Sequence, residues 1–227
     1  MCGRFVCDLP PGILSEHFSV TVPSDIPRSF NIAPSSRILA VRCLETGKEL
    51  ALLRWGLVPS WAKDSTHDAH LINARSETAH EKPSFRKAFR YRRCIIPANG
   101  FFEWKGEGKT RQPFYIRMKE NQIMGLAGLW EHWTSHESES LETCTILTAP
   151  SNSLIRTIHD RMPVILLSSG LTGIVPIPGS LCHSAHRFLQ SCWRCIKSLP
   201  WSIIPVTTLS SVLSVYIEIN RYVGVRS

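Results

Sequence analysis

Cys2 follows the first methionine and precedes a glycine. A small residue at position 2 permits removal of the initiator Met, which would place an amine and a thiol on adjacent carbons of one residue. An α-amino group titrates near pH ~7.7–8.0 and a thiol near ~8.5, so each keeps a nucleophilic fraction at neutral pH. Such a pair condenses with an aldehyde: the amine forms a Schiff base and the thiol closes a five-membered thiazolidine. Taken alone, Cys2 also reads as a small buried residue at the start of a strand.

Four other groups have chemical potential. Residues 82–102 carry Lys82, Arg86, Lys87, Arg90, Arg92 and Arg93 without one acidic side chain, interleaved with Phe85, Phe89 and Tyr91. Cations that track phosphates beside aromatic faces that stack on bases suit a single nucleic-acid strand; a solvated basic face over core aromatics is the competing reading. Glu103 stands in Gly100-Phe101-Phe102-Glu103-Trp104, where large apolar rings can raise its pKa into the range of a neutral-pH acid or base. His159-Asp160-Arg161-Met162-Pro163 joins a proton-transfer group to a phosphate-binding one. Cys182, His186, Cys192 and Cys195 have the ligand types for zinc, but their spacing fits no standard finger. No metal and no cofactor is therefore expected.

The elements that must position these residues are short strands. Ile38–Leu44, a turn at Thr46-Gly47 and the run from Glu49 to Val58 read as a β-hairpin. Cys94–Trp104 reads as strand, turn, strand, and PFYIRM, QIMGLAGLWE and CTILTA as further strands. His70–His80 reads as a loop. Pro83–Tyr91 predicts a short helix with Phe85 and Phe89 on one face, and Ser151–Ile158 a second helix with Asn152 or Ser151 as its cap. This pattern predicts an α+β fold: a curled, largely antiparallel, barrel-like β-sheet with flanking helices.

Composition narrows the class. With 227 residues, 43% hydrophobic and 19% charged, the chain can bury a substantial core and is not disordered throughout. Residues 1–167 hold 21 basic and 17 acidic side chains, residues 168–227 five and one, so half of the +8 net charge lies in the last 60 residues. The N-terminus has no apolar run of the secretory kind, and eight cysteines without such a signal favour reduced thiols inside a cell. Met162–His186 and Ser198–Ile217 are uncharged or nearly so, but prolines, glycines and hydroxyl residues argue against membrane spans.

Taken together, the segments MCGRF, NIAP (Asn31–Pro34), RWGLVPSWAKD (Arg54–Asp64), INARSET (Ile72–Thr78), RRCIIPANGFFEW (Arg92–Trp104), GLAGLWE (Gly125–Glu131) and HDRMPVIL (His159–Leu166) resemble the SRAP family. These are the SOS-response-associated peptidases, or abasic-site processing proteins. The resemblance implies a protein of DNA damage repair that attaches covalently to abasic sites in single-stranded DNA. It implies Cys2 as nucleophile, Asn73 beside the sugar, Glu103 assisting proton transfer, and His159 opening the sugar and promoting Schiff-base formation and reversal. Arg75 and Arg161 match arginines that hold phosphates; Arg4, Pro34, Trp55 and Trp104 match positions lining the DNA surface, to which the basic run adds Arg86. A self-processing peptidase activity and strand cleavage by β-elimination, a lyase reaction, are implied too. The expected protein is a monomer, nuclear in a eukaryote and cytoplasmic in a bacterium, with no membrane partner.

The resemblance covers residues 1–166, read as a catalytic domain. After Leu166 the family's acidic, Trp-containing helix and its closing strand are not evident. Residues 167–227 read as a divergent tail with the texture of a frame change or retained intron, which leaves the catalytic domain without closing elements. Two alternatives remain at this level: an N-terminal-nucleophile peptidase acting on other proteins, and a non-enzymatic nucleic-acid-binding protein.

Overall fold

A computed structural model describes residues 2–65, 71–106, 108, 111–119, 122–135, 137–166 and 201–205. The zinc-type residues Cys182–Cys195, the greater part of both uncharged stretches and the possible terminal strand from Ser214 lie outside them. Among the described residues no group of His, Cys, Asp or Glu could hold a metal ion, and no helix is long and apolar enough to cross a membrane.

Apolar, β-branched and aromatic runs, buried along most of their length, build two sheets. The larger closes on itself. Strands β3 (Arg37–Leu44) and β4 (Gly47–Trp55) form the expected hairpin, with Leu44 opposite Gly47. Gly47 has φ +122°, a backbone state open to glycine at little cost. β3 pairs with β6 (Arg93–Ala98), β6 with β9 (Met124–Thr134), and β9 with β10 (Ser140–Pro150). β10 then returns to β4 in parallel, Thr143 opposite Arg54 and Cys144 opposite Trp55, completing a five-stranded ring. The barrel-like α+β expectation is met.

β10 is the hub of that ring. Its eleven residues also pair with β5 (Asn73–Arg75) and β11 (Arg161–Pro163), while β12 (Ile165–Leu166) joins β9. β5 falls where a loop was expected; three residues suffice because Asn73, Ala74 and Arg75 register against Ile146, Leu147 and Thr148.

The second sheet has the order β13-β8-β7-β1-β2. It comprises β1 (Arg4–Cys7), β2 (Ser29–Ile32), β7 (Gly100–Lys105), β8 (Gln112–Met118) and β13 (Trp201–Pro205). β6 and β7 are thus not a hairpin: the chain leaves one sheet and enters the other at Asn99. That corner is pinned because the Asn99 amide donates to the Val6 carbonyl (2.8 Å) and its Oδ1 accepts from the Asp8 amide (2.7 Å). β13 comes from the divergent tail and pairs antiparallel along β8, from Trp201 opposite Met118 to Pro205 opposite Phe114.

Three helical segments complete the described fold. Helix α1 (Pro11–Phe18) starts on a proline, buries Leu14 and Phe18, and ends on Ser19 at φ 55°. Helix α2 (Arg86–Tyr91) begins three residues after Pro83, since the Phe85 and Arg86 amides both donate to the Lys82 carbonyl in a preceding turn. Phe85 and Phe89 are buried beside it, as expected. The helix expected over Ser151–Ile158 shrinks to one 3-10 turn, Ile155–Thr157. The chain must reverse between β10 and β11 in ten residues, and the Ser151 amide closes that return on the Asp160 carbonyl (2.8 Å).

Candidate active site

On β1, Phe5 and Cys7 face the main core; on β7, Phe101 and Glu103 do. Arg4 registers with Phe102, so the chain entering β1 runs alongside Glu103. Strand periodicity therefore sends a carboxylate into the interior at the level of the N-terminus. Cys2 and Glu103 are both buried, at 0% and 1% exposure.

Four candidate residues are brought together from four segments. The Asn73 side-chain amide donates to the Cys2 carbonyl at 2.8 Å. Burial raises the Glu103 carboxyl above the usual carboxylate range, opposed by the positive N-terminal amine and by His159. Burial also pushes the Cys2 thiol far up, and the Glu103 charge adds to the effect. Glu103 is thus the shared neighbour, acting on Cys2 and acted on by His159.

Thiol acidity does not distinguish Cys2. Burial raises Cys7 and Cys94 to about 12 as well. What distinguishes Cys2 is its company: the Glu103 carboxyl and the Asn73 side-chain amide rather than barrel packing alone. The Oδ1 of Asn73 is buried and accepts no hydrogen bond from the described residues. Such an acceptor fits a donor brought by a ligand, since a buried unmet acceptor costs about 1–3 kcal/mol.

His159 follows the 3-10 turn. Its Nδ1 accepts from the Arg161 amide (3.0 Å) and lies 2.9 Å from Asp160 Oδ1. Arg161, at the head of β11, donates through Nη1 and Nη2 to both oxygens of Glu77 (2.5 and 2.9 Å) and through Nη2 to the Thr148 carbonyl (2.7 Å). Arg161 holds Glu77 below the usual carboxylate range.

The remaining candidates spread outward. Arg75 is exposed at the end of β5. Arg4 is half-buried and donates to Asn31 Oδ1 (3.1 Å), and Pro34 is half-buried in the β2–β3 connection. Trp104 points away from Glu103 and packs on the second cluster of Val6, Phe102 and Tyr115. Arg86 is exposed on α2, which lies against β6 and β9. Trp55 has no exposed surface: its indole donates to the Ile72 carbonyl (2.9 Å) and its ring meets Phe5 edge-on at 5.2 Å. It is a wall behind the site rather than a surface in front of it.

Two residues were not singled out from sequence. Glu77 reads as an ordinary surface carboxylate, although INARSET placed it four residues from Asn73. Trp61 is 63% exposed beside Lys63, an aromatic face of the kind that stacks on bases; only its exposure separates it from Trp55.

The comparisons identify the family. The family model described as SOS response associated peptidase (SRAP) matches residues 1–172. The chain is similar to the abasic site processing protein YoqW of Bacillus subtilis, 45% identical over 170 residues, 73% of this chain and 76% of that protein. It is similar to the abasic site processing protein HMCES of Xenopus tropicalis, 32% identical over 210 residues, covering 73% and 63% respectively. Among solved structures, a Bacteroides thetaiotaomicron protein matches with a TM-score of 0.77 over 91% of this chain and 93% of its own; at 24% identity it speaks for the fold alone.

Proposed function

The chain belongs to the SOS response associated peptidase family, and from that premise we propose that it processes abasic sites in single-stranded DNA by capturing them on Cys2. Removal of Met1, a hydrolysis of one peptide bond that we assign to the protein itself, frees the Cys2 amine. The amine nitrogen attacks the aldehyde carbon of the ring-opened deoxyribose, and the resulting carbinolamine loses water to give an imine. The thiol sulfur then adds to the imine carbon while its proton passes to nitrogen. One C–N and one C–S bond replace the C=O, and one water leaves.

Each nearby residue has work in this sequence. Glu103, kept protonated by burial to higher pH than an ordinary carboxyl, gives a proton to the departing hydroxyl and takes one from the thiol. His159 moves the proton that opens the sugar ring and serves the reverse reaction. Asn73 steadies the Cys2 backbone through its amide, and its unmet Oδ1 accepts from a sugar hydroxyl. Arg4, Arg75 and Arg86, with Pro34 and Trp104, guide the strand; Trp55 braces from behind. Arg161, buried and bonded to Glu77 and Thr148, is a support rather than the phosphate contact expected of it. The imine also permits β-elimination of the 3′ phosphate, a lyase outcome. The protein acts as a monomer without a cofactor, in the compartment that holds the DNA.

The observation that carries this reading is the Asn73 hydrogen bond to Cys2 beside Glu103 and His159. Intact mass spectrometry after mixing with an abasic single-stranded oligonucleotide tests it. The expected product lacks Met1 and weighs the sum of the partners less one water. Cys2→Ala abolishes it; an adduct of wild-type yield from Cys2→Ala, or none from the wild-type chain, overturns the proposal.

A further inference from the structure

The site is assembled from two arms that both pair with β10. One arm is β5 and the turn after it, carrying Asn73, which grips Cys2. The other is the β10–β11 return, carrying His159. Short elements of this kind, three residues in β5 and three in β11, have little pairing of their own to fix them.

A single polar network ties the arms together. The Thr148 carbonyl on β10 accepts from the Ser76 amide of the first arm (2.9 Å) and from Arg161 Nη2 of the second (2.7 Å). Thr148 Oγ1 lies 3.4 Å from the Ala74 carbonyl and 3.2 Å from Arg161 Nη2. Glu77 closes the ring by taking both terminal nitrogens of Arg161. Arg161 is 9% exposed, so its guanidinium is held in a nearly dry seat where a two-pronged carboxylate pair fixes both distance and plane. Through its own amide Arg161 then sets the ring of His159. Asp160 Oδ1 lies 2.9 Å from the same Nδ1, so the return holds this edge of the ring from two sides and fixes its direction.

We propose that Glu77 is a positioning residue of the site: it locks Arg161 across the two arms and thereby fixes the ring orientation of His159 relative to Cys2 and Asn73. The inference rests on the capture reaction above for its kinetic meaning, but not for its structural one. Glu77 touches no reacting atom. With Glu77 removed, Arg161 keeps Thr148 yet loses the anchor that defines its plane, and the His159 return can turn about β11.

Two measurements on the full chain test this. The first follows crosslinking of an abasic single strand over a range of DNA concentrations. Glu77→Ala is expected to lower the limiting rate about tenfold or more while the half-saturating concentration changes less than about threefold, and Glu77→Gln, which keeps one acceptor for Arg161, to recover part of the rate. In a His159→Ala background Glu77→Ala should add less than twofold, because both act through one ring. An unchanged limiting rate, or a Glu77→Ala effect that multiplies fully with His159→Ala, overturns the proposal. The second needs no DNA: two-bond 1H–15N spectra of the His159 ring. The wild type should show one sharp set of ring signals and Glu77→Ala a shifted or broadened set; identical ring signals overturn the proposal. If the wild type makes no adduct while the ring signals still respond, the capture reading fails and the positioning role stands.

Discussion

Replacing Trp55 by phenylalanine separates a supporting wall from a DNA-contacting surface. Trp55 is fully buried. The change deletes the indole donor to the Ile72 carbonyl, but that carbonyl still accepts from the Ile146 amide at 3.0 Å. The loss is therefore an ordinary net hydrogen bond of about 1 kcal/mol rather than the cost of an orphaned acceptor. The smaller ring also leaves a gap in a closed core, which adds about 1–3 kcal/mol by analogy with other truncations. The edge-on contact with Phe5 survives in part. The total is about 2–4 kcal/mol, or a fall in Tm of roughly 5–15 °C for a chain of this size. Thermal unfolding followed by near-ultraviolet circular dichroism measures it. Because Ile72 precedes Asn73 and Phe5 lies three residues from Cys2, the crosslinking rate of the folded variant should fall several-fold, while DNA half-saturation stays within about twofold. An unchanged Tm with clearly weakened DNA binding would refute the reasoning, since the ring would then be meeting the strand.

Glu103→Gln should change the pH dependence of stability. Burial raises the native carboxyl above its unfolded value, so its favourable contribution is complete in acid and is lost as pH rises from the ordinary carboxylate range through the raised native value. Urea midpoints at several pH values should show the wild type losing stability over that window relative to the variant, whose crosslinking is nonetheless impaired; parallel curves would contradict the buried-carboxyl account. Gly100→Ala should be poorly tolerated. A Cβ there would sit 2.6 Å from the Ile116 carbonyl oxygen and 2.7 Å from the Tyr115 ring, and since β8 backbone cannot give way locally, a loss of about 1–3 kcal/mol is expected by denaturant unfolding.

Much of this molecule is legible in single residues, and the failures have common causes. The β3–β4 hairpin follows from its apolar run and Gly47. Cys2, Glu103 and His159 are visible because each sits in a distinctive word, and the words together bring the family to mind before any coordinate does. What strings of residues do not reveal is which neighbours are shared. β6 and β7 read as strand, turn, strand, as found, but local sequence cannot say that the turn at Asn99 is a corner between sheets. β5 looks like a loop because its three residues owe their conformation to β10, 73 positions away for the Asn73–Ile146 pair. The Ser151–Ile158 helix fails for the same reason: its length is set by the distance between two strands. Trp55 and Trp61 belong to one motif and differ only in burial, so sequence resemblance assigned the surface role to the wall. Glu77 was overlooked because its importance lies in Arg161, a partner 84 residues distant.

The ring that closes through β4 and β10 has a kinetic corollary. Thr143 and Cys144 meet Arg54 and Trp55 across about ninety intervening residues, the kind of non-local pairing whose loop-closure entropy is met late in folding. Asn73, Arg75, Thr148 and Arg161 are all registered on β10. A partly folded chain, its β3–β4 hairpin already formed but β10 undocked, would hold Cys2 beside Glu103 without the Asn73 amide or the His159 imidazole. Self-removal of Met1, and with it the free Cys2 amine, would then await topological completion, so an immature chain would keep its nucleophile masked until its barrel is shut.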